Sequence, residues 1–504
     1  MPPSQRKRAA RSGTAGAIGR RMRNWHLLFV SVLVACGGGY GSPSGGDFGA
    51  TPGGVKDLRF ARELIANGQV PPAAALLVEG MFAEHDLGLT GAPCNDTLCL
   101  RAGLGVAPDR DGDARGWLQV GMSSNVDPDT FPRPDTTYIM TVDVSGSMGW
   151  GYGAEDEYPS PGELARDLLH ELNVLIEGRD QIAIVTYGSE IRTALPLTSG
   201  LDEARIRGVI DRLGEGGSTD MYGGLVRAYQ LGREARAAGR QNVRVILFTD
   251  VQPNVGPTSP TDFDRLVSQG AADGVHITVL GLGLGMGPEV MQSMAKVRGA
   301  NAFSLMRSEH VTELVTDEYP WFTVPIAYDL AVDVRHSSGL AIEHGYGFPT
   351  GFAEDPRLYV ATVFLSKRKG ALLVSLTEEA EGALDLAYAD ADLSWENPSG
   401  VTRTTTVRAT RDGAALDERG HWFAQEAVAR TTALALLVSG MHDAAAAYTG
   451  DPALATTIMR GAYERFAADA AAIGAPDLAP EVELAAAMLR LIEERAPQGS
   501  MYGS

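Results

Sequence analysis

Between residues 135 and 323 the chain alternates short apolar runs with amphipathic stretches, and this regular alternation restricts its fold more than any other feature. The segment Val243-Arg244-Val245-Ile246-Leu247-Phe248 is typical. It is apolar at consecutive positions rather than at alternate ones, which suits a strand buried on both faces, as in a parallel sheet covered by helices on each side. The spacing predicts strands at 138–143, 181–187, 191–195, 243–250, 276–281 and 301–305, and helices at 162–176, 201–213, 221–238, 263–272, 288–297 and 309–318. The expected class is α/β, with a doubly wound, mostly parallel, Rossmann-like sheet. In such sheets ligands bind outside the carboxyl ends of the strands, where the connections diverge.

The first of these strands runs into Asp143-Val144-Ser145-Gly146-Ser147. A carboxylate and two hydroxyls at alternate positions can turn three oxygens toward one point, with Gly146 letting the backbone bend around it. Standing alone, the same residues read equally well as the cap of the next helix. Two further segments reach the same edge of the sheet. Gly216-Gly217-Ser218-Thr219-Asp220 is a glycine-rich loop that opens a helix, and Leu247-Phe248-Thr249-Asp250 ends the fourth strand on a carboxylate. Asp143, Ser145, Ser147, Thr219 and Asp250 thus bring two carboxylates and three hydroxyls from three loops, a hard-oxygen set that suits Mg²⁺, with Mn²⁺ or Ca²⁺ as alternatives. Asp220 reads as an exposed acid at a helix start.

A D-x-S-x-S, a distant Thr and a distant Asp, in this order on this strand–helix pattern, resemble the metal-ion-dependent adhesion site of the von Willebrand factor type A domain. The resemblance implies that Ser145, Ser147 and Thr219 contact the cation, that Asp143 and Asp250 act directly or through water, and that the open position takes an Asp or Glu carboxylate from a partner protein. It extends over roughly residues 56 to 440: Asn67-Gly68-Gln69-Val70-Pro71-Pro72, Val78-Glu79, Asn254-Val255-Gly256 and Gly345-Tyr346-Gly347-Phe348-Pro349 are similar to segments of bacterial secreted proteins that set this domain between a lead-in and a β-rich tail. Family members usually carry Gly after the last aspartate, where this chain has Val251. Residues 149–159, with Trp150, Tyr152, Glu155, Asp156, Glu157 and Tyr158, form an insertion beside the site that either shapes partner choice or is a solvated loop.

Seven basic residues and no acidic one stand in the first 35 positions, followed by a short apolar run, Leu27 to Val34, that ends in Leu33-Val34-Ala35-Cys36. That run is about half the roughly 20 residues a membrane span needs, so it reads as a secretory signal. The ending resembles a bacterial lipobox, in which Cys36 would be lipidated and hold the protein to a membrane by acyl chains alone. A Gly/Ser-rich tether follows, over 36–55. Cys94 and Cys99, the other two cysteines, are expected to form a local disulfide in an exported protein. The formal charge of −20 disfavours nucleic acid and anionic lipid as partners.

The expected organisation is therefore a signal at 1–35, the tether at 36–55, an α+β lead-in at 56–134, the central domain at 135–323, a β-rich domain at 324–415 and a helical region at 416–504. In the lead-in, Asp109-Arg110-Asp111-Gly112-Asp113 resembles a calcium loop but has its glycine misplaced and no following glutamate, so it reads as an acidic turn. The glycines at 281–287 contain a G-x-G, yet late in the domain, and read as a tight strand–helix connection rather than a dinucleotide fingerprint. The tail is expected to carry strands at 326–334, 340–344, 358–365, 372–376, 384–389 and 401–409, then helices at 421–439, 453–472 and 480–494, with a break at Met441-His442-Asp443. His421 reads as a neighbour of a helix cap.

The functional expectation is a lipid-anchored cell-envelope protein, facing the periplasm or the exterior, that binds another protein in a cation-dependent way for adhesion or scaffolding. It is not expected to be an enzyme, because the hydroxyl-rich set offers no evident general base. The alternatives are a metal-dependent hydrolase and a partner of an ATPase or chaperone complex. The sequence names neither the ligand nor the oligomeric state.

Overall fold

Strands apolar on both faces have to be covered on both faces, and the chain meets that demand with two sheets and a helical layer. The computed structural model describes residues 48–151, 158–250, 252–349 and 358–495. Cys36, the signal and most of the tether lie outside these residues. So do Val251 and residues 152–157 of the insertion.

Residues 48–55, read as the end of the tether, form two strands instead: β1 (Phe48–Pro52) and β2 (Gly54–Val55). After them come α1 (Arg59–Ala66), α2 (Val78–Glu84) and the hairpin of β3 (Cys99–Pro108) and β4 (Ala114–Ser124). Cys94 and Cys99 are joined by a disulfide at the foot of that hairpin.

The central region runs β5 (Thr136–Asp143), α3 (Pro161–Leu175), β6 (Gln181–Tyr187), β7 (Arg192–Ser199), α4 (Glu203–Ile210), α5 (Met221–Ala237), β8 (Asn242–Thr249), α6 (Pro260–Ala272), β9 (Val275–Leu282), α7 (Pro288–Ala295), β10 (Asn301–Leu305) and α8 (Ser308–Glu313). The seven-stranded sheet has the order β2-β10-β9-β8-β5-β6-β7, parallel except for the edge pair β6–β7. All eight residues of β5 are buried. The helix starts follow from local chemistry. Ser160 and Glu163 bond each other's backbone amides as a capping box with Pro161 in the first turn of α3, and Ser259 and Pro260 start α6 in a similar way.

The tail supplies β11 (Pro325–His336), β12 (Leu340–Tyr346), β13 (Tyr359–Ser366), β14 (Ala371–Glu378), β15 (Tyr388–Glu396), β16 (Thr402–Thr410) and β17 (Trp422–Phe423), then α9 (Glu426–Tyr448), α10 (Pro452–Ile473) and α11 (Ala479–Arg495). Its strands do not make a sheet of their own. They join β1, β3 and β4 in one antiparallel sheet, ordered β12-β14-β4-β1-β13-β11-β15-β16, with β3 alongside β4 and β17 alongside β3.

Three expectations for the tail give way. The strand foreseen at 384–389 is β15, displaced toward the C-terminus, because Asp390 and Asp392 interrupt the apolar pattern. Their carboxylates are taken by Arg408 and Arg335 of the flanking strands. Nor is there a break at Met441-His442-Asp443, where α9 continues unbroken: Met441 is fully buried, His442 bonds Asp443, and Asp443 reaches Arg110 outside the helix. His421 precedes β17 rather than a helix, its amide donating to Asp417.

One apolar core joins the α5 face of the parallel sheet (Tyr229, Phe263, Met294) to the lead-in and C-terminal helices (Leu64, Phe82, Leu437, Phe466). The α3 face has its own core, around Met140, Leu168 and Phe248. A third core lies under the antiparallel sheet.

Candidate metal centre

β5 lies between β6 and β8, and its connection to β6 runs through α3 while α5 leads into β8. Those two helices cover opposite faces of the sheet. The carboxyl ends of β5 and β8 therefore flank a crevice that no crossover closes. Val142 is in register with Phe248, so Asp143, the last residue of β5, comes level with Thr249, and Asp250, the residue after the end of β8, follows one position beyond it at the crevice floor.

The loop after β5 is held in shape by its own polar groups. Asp143 Oδ1 accepts the Ser145 amide at 2.8 Å, and the Ser145 and Ser147 hydroxyls lie 3.2 Å apart. The second loop is stitched to the first along the backbone: the Gly216 amide donates to the Val144 carbonyl at 2.8 Å, and the Gly146 amide to the Gly217 carbonyl at 3.0 Å. Gly217 has φ +89°, and a β-carbon there would meet the Ser189 hydroxyl, so this close approach needs glycine. Past the glycines, Thr219 is buried. Asp220 spends its carboxylate as the cap of α5, accepting the Gly223 amide at 2.9 Å, in line with its reading as a helix-start acid.

Two supporting residues were not singled out from sequence. Asn254 grips Thr219 from both sides: its side-chain oxygen accepts the Thr219 amide at 2.9 Å, and its own amide donates to the Thr219 carbonyl at 3.1 Å. Thr249 turns its hydroxyl toward Asp143 Oδ2, at 3.4 Å. Both stood beforehand only inside longer segments, Asn254-Val255-Gly256 and Leu247-Phe248-Thr249-Asp250, with no role attached to either.

The electrostatics are unusual for two carboxylates. Asp143 is 2% exposed and Asp250 is wholly buried. Burial pushes the Asp143 carboxyl up to about 7; hydrogen bonds from Ser145 resist the shift, and the charge of Asp250 adds to it. Asp250 is also raised by burial. The Ser147 hydroxyl and the Gln252 amide lie near enough to oppose part of that shift, yet neither oxygen of Asp250 forms a well-aligned hydrogen bond among the described residues. A buried carboxylate with both oxygens unmatched is costly unless a positive group neutralises it. Among the described residues no side-chain cation bonds to it, whereas three hydroxyls belong to the same cluster of loops. The residues present therefore fit a small hard cation. Among the described residues no group of three or more His, Cys, Asp and Glu side chains is placed to hold a metal, so hydroxyl oxygens would have to complete the donor set.

The other motifs are accounted for differently. Asp109 accepts the Asp111 and Asp113 amides at 2.9 and 3.0 Å and pairs with Arg115, which makes 109–113 a self-contained acidic turn. The glycines from 281 carry the chain from β9 into α7, with Gly283 at φ +73°.

A family model described as "von Willebrand factor type A domain" matches residues 138–252. The uncharacterized protein YfbK of Escherichia coli (strain K12) is 26% identical over 289 residues, 56% of this chain and 48% of that protein. The magnesium-chelatase 67 kDa subunit of Chlorobaculum tepidum is 26% identical over 124 residues, 24% of this chain and 18% of that subunit. The chain thus spans less than half the length of these curated relatives. Among solved structures, a von Willebrand factor type A protein from Catenulispora acidiphila is similar with a TM-score of 0.50 at 15% identity, covering 77% of this chain and 89% of that one, which bears on the fold.

Proposed function

We propose that the von Willebrand factor type A domain carried by this chain holds a divalent cation, best Mg²⁺, at Asp143, Ser145, Ser147, Thr219 and Asp250, and is a protein-binding module of the cell envelope. The observation that carries this reading is Asp250, buried with both oxygens unmatched beside a second buried carboxylate and three hydroxyls. A cation bound with few anionic ligands keeps a positive charge and an open position for an external carboxylate. The chain's own part is to fix the donors: Asn254 holds Thr219, the Gly216–Gly217 turn sets the second loop against the first, and Asp143 braces Ser145. With Asp143 committed to that brace, binding rather than catalysis is the function this site supports. Attachment through a lipid on Cys36 would present the module outside the cytoplasm. Among the described residues no helix is long and apolar enough to cross a membrane.

Calorimetric titration of the purified protein with Mg²⁺ and with Mn²⁺, beside Asp143→Ala and Asp250→Asn, tests the site. Saturable binding lost in both variants is expected, and equal heats in all three proteins would refute it. Labelling with a radioactive fatty acid in cells, lost in Cys36→Ser, tests the anchor. The likeness to a magnesium-chelatase subunit favours a second reading, in which the bound protein is a subunit of a larger enzyme assembly.

A further inference from the structure

The rim of the candidate metal centre carries apolar side chains in the open. Trp150 is 67% exposed, and its amide donates to the carbonyl of Ser147, so it stands at the end of the metal loop itself. Val255 is 40% exposed on the opposite loop, its amide bonded to the carbonyl of Thr219. Ile191, 39% exposed, leans on the start of α5 beside Asp220. Three separate loops thus each place one exposed hydrophobe at the rim, two next to a residue of the site and the third beside the helix cap that follows Thr219. Trp150 is conspicuous, since Trp117, Trp321 and Trp395 are all buried.

Among the described residues, the charges next to these three side chains are already engaged. Glu215 pairs with Arg166, Glu190 pairs with Arg192, and Asp220 caps α5. Around the cation position the described residues of the rim therefore offer apolar and small polar surface and little unpaired charge. A tryptophan beside a point that takes a charge is the composition of an interface centre, with an anchor to bury and one electrostatic contact to fix register.

Resting on the cation-binding reading above, we propose that Trp150, Val255 and Ile191 select the partner: an exposed protein segment with one Asp or Glu for the metal position and large apolar side chains within one or two residues of it. A segment with several adjacent acids is a poor occupant, because it would bring unpaired charge against apolar surface on a strongly acidic protein.

The test uses synthetic peptides and the full chain. Three fluorescein-labelled decamers are compared in Mg²⁺: one with a central Asp flanked by Leu and Phe, one with the same Asp flanked by Ser, and one with Asn in place of Asp between Leu and Phe. The apolar-flanked Asp peptide should bind about tenfold more tightly than the Ser-flanked one. Trp150→Ala should erase that difference, and the exposed tryptophan's emission should shift to the blue when the first peptide binds the wild-type protein. Asp250→Asn or EDTA should abolish binding of both Asp peptides. Equal affinity for the two Asp peptides, a Trp150→Ala variant that still discriminates, or no binding of any peptide overturns the proposal for the rim. If binding survives EDTA and Asp250→Asn, the cation reading beneath it fails instead.

Discussion

Asp250 concentrates the energetic cost of the site in one side chain, and that makes it a sharp probe. In cation-free buffer Asp250→Asn should unfold no more easily than wild type, and gain on the order of 1 kcal/mol, since it removes an unmatched buried charge. It should also lose the stabilisation a bound cation provides, about 2.7 kcal/mol at a hundredfold excess over Kd. Urea unfolding with and without Mg²⁺ measures both, and a variant still stabilised by Mg²⁺ would count against the assignment. Asp143 adds a pH signature. Its carboxyl is raised to about 7, so below that pH a proton has to leave before a cation can bind, and apparent Mg²⁺ affinity should fall as pH drops through 7, by up to about tenfold per unit for one proton. Titrations at pH 6, 7 and 8 check the sign. The donors were legible in the sequence because oxygen chemistry is written in residue types, and their order along the chain gave the pattern. Asn254 was not, because its role depends on a loop after β8 folding back onto a loop before α5.

At the scale of elements, a buried ionic cluster fastens the lead-in to the last helix. Arg62 of α1 bonds Glu84 and, at 2.8 Å, Glu481 of α11; His85 Nε2 lies 3.2 Å from the same Glu481 carboxylate, and its Nδ1 lies 3.5 Å from Asp477. Burial opposes the charged imidazole, but Asp477 and Glu481 outweigh it and hold the His85 pKa above its usual 6.5. Because the folded value is the higher one, the stabilisation is complete below about 6.5 and is lost as pH rises through the folded pKa. The stability advantage of wild type over His85→Gln should therefore be larger at pH 6 than at pH 8.5 in urea titrations. A constant gap would show that folding does not shift the imidazole's pKa. Elements of the parallel sheet were readable because consecutive apolar residues have few other uses. By contrast β15 was misplaced, its Asp390 and Asp392 being satisfied by Arg335, Thr406 and Arg408 of other strands, and β1 and β2 hide in glycine-rich sequence. At Gly49 a side chain would collide with the Arg368 carbonyl, so the composition that suggests a tether also permits tight strand packing.

For the whole molecule, the sequence divides the chain into successive regions, whereas the fold interleaves them. The antiparallel sheet takes strands from both ends, β2 closes an edge of the parallel sheet, and one core runs from Phe263 to Phe466. Long-range pairing of this kind leaves no local pattern to read. Residues 48–495 should accordingly unfold in a single calorimetric transition, and the excised segment 135–323 should be markedly less stable and more prone to aggregate, since excision bares the α5 face of its sheet. Two well-separated transitions would contradict this. The passage from β1 to β2 has a mechanical consequence. Within eight residues of entering the described fold, the chain is hydrogen-bonded first into one sheet and then, past Gly53, into the other. A pull arriving along the preceding segment would meet β1 lengthwise, with β4 and β13 gripping it on either side, and would have to shear many bonds at once instead of unzipping them singly. A protein held at that end while gripping something at the far edge of the parallel sheet would be loaded through its strongest direction.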